Sequence, residues 1–192
     1  MSRCAEEARS RMTFRRLPCT RKPPDVKLKT IPSMSEIVYL SLGSNMGDRQ
    51  KNLQEAIARV ETMGRVLERS SFYETEPVEF TRQAWFLNCA VALETEKAPG
   101  KLMAELLEIE QDLGRRRTRR RGPRTIDIDI LLIGDWVLNS PGLIVPHPAM
   151  HQRRFVLAPL AEIAPEARHP VLKKTVRELL AELPMGQVVR KL

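Results

Sequence analysis

The sequence predicts an α+β fold: a ferredoxin-like split β-α-β core with an antiparallel sheet, helices packed on it, and an extra C-terminal hairpin and helices. Three observations carry this. Apolar residues switch between periods of 2 and about 3.6 in the order β-α-β-β-α-β-β, with helices trailing. Turn and cap residues punctuate the runs. No internal repeat or low-complexity segment interrupts the series.

Ile37-Val38-Tyr39-Leu40-Ser41-Leu42 is a short β-prone run, and Gly43 to Asp48 follows as a turn. Leu53, Ala56, Ile57 and Val60 recur at helical spacing, so a helix should begin near Asp48 and stop at Gly64. A strand is expected over Val66–Tyr73, a loop over residues 74–85, and a strand over Phe86–Leu93. Pro99 suits a helix start, and Leu102, Met103, Leu106, Leu107 and Ile109 supply that helix's buried face until Gly114. Ile126–Ile133 reads as a strand that turns at Gly134-Asp135 and returns through Trp136-Val137-Leu138. Pro146-His147-Pro148 is a restrained, extended turn. A helix is expected over Ala149–Leu160, strained near Pro159, and Thr175 with Glu178 forms a capping box for a last helix through Leu183.

The chain has 192 residues, 42% hydrophobic and 29% charged, which is the composition of a globular domain with a core of its own. No apolar run is long enough for a membrane span, and the N-terminus lacks the apolar stretch of a secretory signal. Three cysteines, Cys4, Cys19 and Cys89, follow no metal-ligand spacing and point to a reducing, cytoplasmic compartment.

The net charge of +8 is unevenly placed. Residues 1–35 hold nine basic and three acidic residues, and residues 114–124 hold seven arginines and no acid, leaving the rest at −5. Residues 1–35, rich in proline and arginine, are expected to be a disordered extension, with 36–192 as a single domain. An upstream start, with Met34 just before the first strand, and a nucleic-acid or targeting arm are the alternatives for the tail.

The most informative segment is Gly122-Pro-Arg-Thr-Ile-Asp-Ile-Asp-Ile130. Alternation along a strand puts Ile126, Ile128 and Ile130 on one face and Asp127 and Asp129 on the other. Two carboxylates this close repel unless a cation lies between them, and magnesium, which prefers oxygen ligands and phosphates, suits the place. A solvated strand face weighs about equally until the upstream arginines are counted. Arg115, Arg116, Arg117, Arg119, Arg120, Arg121 and Arg124 supply bidentate phosphate donors, and an acid pair beside them is equipped for polyphosphate chemistry. Neither a Walker A loop nor a kinase glycine loop is present. With 5% aromatic residues and no stacking motif, a nucleic-acid loop is the weaker reading of the arginines.

Ser41-Leu42-Gly43-Ser44-Asn45, Ser71-Phe72-Tyr73-Glu74-Thr75, Phe86-Leu87-Asn88, Gly114-Arg115, Arg117, Gly122-Pro123-Arg124-Thr125-Ile126-Asp127-Ile128-Asp129, Val145-Pro146-His147-Pro148 and Arg153 resemble, in order, the 6-hydroxymethyl-7,8-dihydropterin pyrophosphokinase family over about residues 36–170. The resemblance implies transfer of the terminal pyrophosphoryl unit of ATP to the pterin hydroxymethyl group in folate biosynthesis, leaving AMP. It implies two Mg2+ ions on Asp127 and Asp129, with Arg115 and Arg124 approaching the phosphates or the pterin. It assigns Thr75, Val78, Phe86, Asn88 and Phe155 to the pterin, and Glu110, Arg117, Ile130, His147 and Arg153 to ATP. The arginine loop would close as a lid that excludes water.

Some positions depart from the family pattern. Arg121 stands where a tryptophan is common, Phe86 replaces a tyrosine, and Gly142 an arginine. Taken singly, Asn88, Phe86 and Phe155 would read as core residues, His147 as a structural turn residue and Glu110 as solvated. The expected partners are ATP and the pterin, with no nucleic acid and no membrane, acting on a monomer. On its length, no fused second folate enzyme is expected. An RNA- or ribosome-binding protein using the tail and the arginine loop is the alternative from another functional class.

Overall fold

The computed structural model describes residues 35–77, 83–115, 122–184 and 186–192. Expectations for the tail, for Val78, for Arg117 and Arg121, and for the lid formed by residues 116–121 lie outside the described residues.

The strands are β1 (Glu36–Ser44), β2 (Arg65–Arg69), β3 (Tyr73–Thr75), β4 (Phe86–Thr95), β5 (Asp127–Ile133), β6 (Leu138–Ser140), β7 (Leu143–Val145) and β8 (Val189–Lys191). The helices are α1 (Arg49–Val60), α2 (Pro99–Asp112), α3 (Arg154–Ile163) and α4 (Val176–Glu182). The main sheet runs β5-β1-β4-β3-β8, with β2 also pairing β4, and every pairing is antiparallel. Taking β2 and β3 together as the second strand, this is the ferredoxin-like order expected of the split β-α-β pattern.

Sheet alternation sorts the apolar residues into two cores. Leu40, Leu42, Cys89, Val91, Ile126, Ile128 and Ile130 pack with Leu53, Ile57, Leu102 and Leu106 of α1 and α2. On the opposite face, Ala90, Leu131 and Leu132 pack with Val156, Leu157 and Leu160 of α3 and with Val176 and Leu179 of α4. A register shift between Tyr39 and Leu40 gives β5 an extra residue against β1. This bulge lets Leu131 and Leu132 join the same core, which strict alternation forbids. The second helical layer covers only part of its face. The rest, near Ser41, Gly43, Asn88, Asp127 and Asp129, borders a cavity.

The capping residues act as expected. The Asp48 carboxylate accepts the Lys51 N–H, and Thr175 and Glu178 complete the capping box of α4. Four expectations are corrected. The strand expected over Val66–Tyr73 is two strands, because the ladder breaks at Ser70, whose Oγ accepts the Ala90 N–H while its own N–H donates to the Ala90 carbonyl. The return strand from Gly134-Asp135 does not pair with β5. The hairpin is instead β6 with β7, in a sheet of its own. The helix expected over Ala149–Leu160 is a 3-10 turn, Met150–Gln152, and then α3, separated by Arg153 in an extended conformation. The third strand starts as expected but runs on to Thr95. Strand β8 went unrecognised, since three residues with two exposed cations carry no apolar period.

Candidate active site

Register builds the floor of the site. Ser41 lies opposite Asp129 and Gly43 opposite Asp127 across β1 and β5, while Gly43 also lies opposite Asn88 on β4. These residues therefore share one face of three adjacent strands, and together with Thr75, Phe86, Phe155, His147 and Arg153 they line a cavity of 550 Å³. Arg115, at the end of α2, and Arg124, just before β5, close its side.

Arginines surround the acid pair. Asp127 bonds Arg124 Nη1 through Oδ2 and Arg115 Nη1 through Oδ1, each at 2.6 Å. Asp129 is more deeply enclosed. Burial, followed by the charge of Asp127, pushes its carboxyl up to about 7, against the pull of Arg153 and Arg115. The arginines neutralise one carboxylate, and the other is costly to ionise where it stands.

His147 follows the cis Val145–Pro146 peptide, and its Nδ1 accepts the Ala149 N–H at 3.2 Å. Burial, reinforced by Arg153, lowers its pKa to about 4, so the ring is neutral near pH 7. With Nδ1 accepting, the ring proton is assigned to Nε2, a neutral donor.

The other end is an amide and aromatic recess. Asn88 Nδ2 donates to Thr75 Oγ1 at 2.7 Å, and both residues are buried. A Cβ on Gly43 would stand 2.6 Å from Asn88 Oδ1, so only glycine lets β1 pass beneath that amide. The guanidinium of Arg124 lies 5.6 Å from the Phe86 ring centre, and that of Arg153 lies 5.7 Å from Phe155. Each ring thus shares an arginine with the charged end.

Asn45 joins the two ends. Its Oδ1 accepts the Arg124 N–H at 2.7 Å, and its Nδ2 donates to the Ala84 carbonyl at 3.2 Å and to Gln83 Oε1 at 3.1 Å. Its placement follows from the tight turn after β1, at the end of the Gly43-Ser-Asn motif.

The structure brings Thr75, Phe86, Asn88, Arg115, Arg124, Asp127, Asp129, His147, Arg153 and Phe155 to one cavity. Two residues expected at the nucleotide, Ile130 and Glu110, are not among those that line this cavity. Ile130 turns into the core beneath the sheet, as its place on the isoleucine face requires. Glu110, 2% exposed, is neither solvated nor on the cavity wall. Its carboxylate pairs with Arg115 and accepts the Ile128 N–H. Glu76, Gln83 and Gln152 line the cavity without having been singled out, because lone polar residues in irregular segments carry no periodic signal. Ser41 and Gly43 were part of the quoted motif, and their alternation with Leu40 and Leu42 was the available signal for their role.

A paired acid beside convergent arginines, joined to an amide and aromatic recess on a ferredoxin-like sheet, makes a cavity suited to a phosphate-bearing ligand beside a flat ring. The chain belongs to the 7,8-dihydro-6-hydroxymethylpterin-pyrophosphokinase family, whose model matches residues 39–165. It is 48% identical over 132 residues to the Bacillus subtilis 2-amino-4-hydroxy-6-hydroxymethyldihydropteridine pyrophosphokinase, covering 68% of this chain and 79% of that one. The Methylorubrum extorquens enzyme of the same name is 46% identical over 154 residues, covering 79% and 96%. The folic acid synthesis protein FOL1 of Dictyostelium discoideum is 40% identical over 79% of this chain, but the match spans only 23% of that larger protein. Among solved structures, wild-type Plasmodium falciparum HPPK-DHPS shares the fold with a TM-score of 0.62 at 16% identity, over 78% of this chain and 45% of that one. No helix among the described residues is long and apolar enough to cross a membrane.

Proposed function

We propose that this chain transfers the pyrophosphoryl group of ATP to the hydroxymethyl oxygen of 6-hydroxymethyl-7,8-dihydropterin, releasing AMP and the pterin diphosphate in folate biosynthesis. One observation carries the reading: a single cavity joins the paired acids Asp127 and Asp129, with Arg115, Arg124 and Arg153, to a recess of Asn88, Thr75, Phe86 and Phe155. Neither half alone would specify the reaction. Together they seat a polyphosphate and a flat, amide-edged ring side by side.

The residues fit divalent metal. Asp127 and Asp129 offer hard oxygen ligands, and Asp129 is a buried acid whose charge the neighbouring arginines do not fully offset. Two carboxylates completed by substrate phosphate oxygens suit Mg2+, and we assign two ions to them. Bound there, Mg2+ would neutralise phosphate charge and acidify the attacking hydroxyl. Arg115 and Arg124 hold the phosphates and give up part of their hold on Asp127 as they do so. The Arg124 Nε, buried and with no partner among the described residues, is a further donor for a phosphate oxygen. His147 offers Nε2–H and Arg153 its guanidinium to the nucleotide phosphates. Asn88 and Thr75 orient the pterin edge while Phe86 and Phe155 hold its faces, leaving the hydroxymethyl group toward the acid pair. Val78 and Arg117 are assigned to the pterin and ATP on the family resemblance alone.

The proposal takes residues 36–192 as the catalytic domain of a monomeric, cytoplasmic enzyme and the preceding residues as dispensable. The test is an AMP-forming assay with ATP, Mg2+ and hydroxymethyldihydropterin, on the full chain and on a chain starting at Met34. Absence of both AMP and the pterin diphosphate overturns the reading. Activity that collapses only in the shortened chain overturns the domain boundary.

A further inference from the structure

The C-terminal strand β8 lies outside the stretch matched by the family model, residues 39–165. With the residues just before it, it nevertheless reaches Thr75 and Glu76 on the cavity wall and Trp85 beside Phe86. Val189 pairs with Thr75 at the end of β3. The Arg190 guanidinium stacks 5.3 Å from the ring centre of Trp85, next to Phe86. The Val188 N–H donates to Glu76 Oε1 at 3.1 Å, and the Glu76 N–H donates to the Val188 carbonyl at 3.3 Å.

Gln187 makes the most telling contact. Its Nε2 donates to the Glu76 carbonyl at 3.4 Å, and its Oε1 accepts the Phe155 N–H at 3.3 Å. Phe155 is the second residue of α3, so its N–H belongs to the first turn and has no acceptor within the helix. The Arg153 side chain provides no cap. Gln187 therefore supplies, from the other end of the chain, a cap that α3 lacks, and fixes its first turn to the segment after β3. Both Glu76 and Phe155 line the cavity, and Gln187 itself does not.

We infer that Gln187 is a positioning residue for the pterin end of the site: through Glu76 and Phe155 it sets the width of the recess that holds the pterin ring, and has no part in holding ATP. The inference rests on the pterin reading above. Its chemical logic is that a ring slot binds by close contact on both faces, so loosening one wall lowers pterin affinity selectively.

The test uses full-length Gln187→Ala and the shape-preserving Gln187→Met, with Arg190→Ala as a control that loosens β8 but leaves the Gln187 bridge. KM for the pterin and for ATP are measured separately with kcat, together with the melting temperature. Loss of two hydrogen bonds should raise the pterin KM about tenfold in both Gln187 variants, with the ATP KM within about twofold. Arg190→Ala should leave the pterin KM within about threefold. An unchanged pterin KM, an equal rise in both KM values, or the same rise in Arg190→Ala overturns the inference. Wild-type protein that forms no AMP overturns the functional reading and this inference with it. Active wild type with unaltered Gln187 variants overturns the inference alone.

Discussion

The Glu110 carboxylate accepts the backbone N–H of Ile128 at 2.7 Å, fastening the last turns of α2 to the strand between Asp127 and Asp129. β5 is the terminal strand of its sheet among the described residues, and none of them offers this N–H a ladder partner on its outer side. A buried carboxylate, raised in pKa by its own burial, takes the place of a neighbouring strand and also holds Arg115. Glu110→Ala should therefore destabilise the fold by about 3 kcal/mol in chemical denaturation and lower turnover, since it leaves the buried Ile128 N–H without its acceptor and removes one of the carboxylates that hold Arg115. Glu110→Gln, which keeps an acceptor, should cost about 1 kcal/mol. Unaltered stability in both would remove Glu110 from this role.

The acid pair should behave differently from a core residue. Asp127→Ala and Asp129→Ala should abolish turnover while the far-ultraviolet circular dichroism is retained, because neither side chain packs in a core. Asp129 is the sharper case, since its folded pKa is raised. As pH rises from the ordinary carboxylate value to about 7, the unfolded chain gives up the proton that the folded carboxyl keeps, and stability falls. Asp129→Asn should therefore hold or raise the melting temperature near pH 8 without added nucleotide, and lose the stabilisation that Mg2+ with an ATP analogue confers on wild type. A large loss of stability in that variant, or near-normal turnover, counts against the metal assignment.

Gly43→Ala tests the floor of the recess. The added methyl would meet Asn88 Oδ1 at 2.6 Å and must displace the amide that donates to Thr75. A roughly tenfold rise in pterin KM is expected from loss of one well-placed amide contact. A crystal structure of the variant showing Asn88 unmoved would refute it.

Glu162 supplies a pH signature away from the cavity. Burial alone would raise its pKa, but bonds from Tyr73, Lys191 and both the hydroxyl and N–H of Ser71 lower it to about 2. A depressed folded pKa stabilises the fold above the unfolded carboxylate value, and the contribution is lost as pH falls toward about 2. Glu162→Gln should flatten the decline of melting temperature between roughly pH 4.5 and 2 relative to wild type. A parallel decline in both proteins would show that this cluster does not contribute.

Much of this was written in local order. The alternation Ile126-Asp127-Ile128-Asp129-Ile130 put the acids on one face and the isoleucines in the core because a strand has a period of two, wherever it lies in a protein. The same period determined Leu40 and Leu42 against Ser41 and Gly43. Helix starts at Asp48, Pro99 and Thr175 followed from capping chemistry that acts over three or four residues. The tertiary structure alone decided what those faces meet. Ile130 is a core residue because its face is covered by α2, and Glu110 is a buried strut because α2 lies along an edge strand with an unpaired donor. The bulge at Leu131, the separate β6–β7 hairpin and the reach of Gln187 to Phe155 depend on contacts between residues far apart in the chain. Sequence periodicity reports which side of an element is apolar. Which neighbour completes a hydrogen bond or neutralises a charge is determined only once the elements pack.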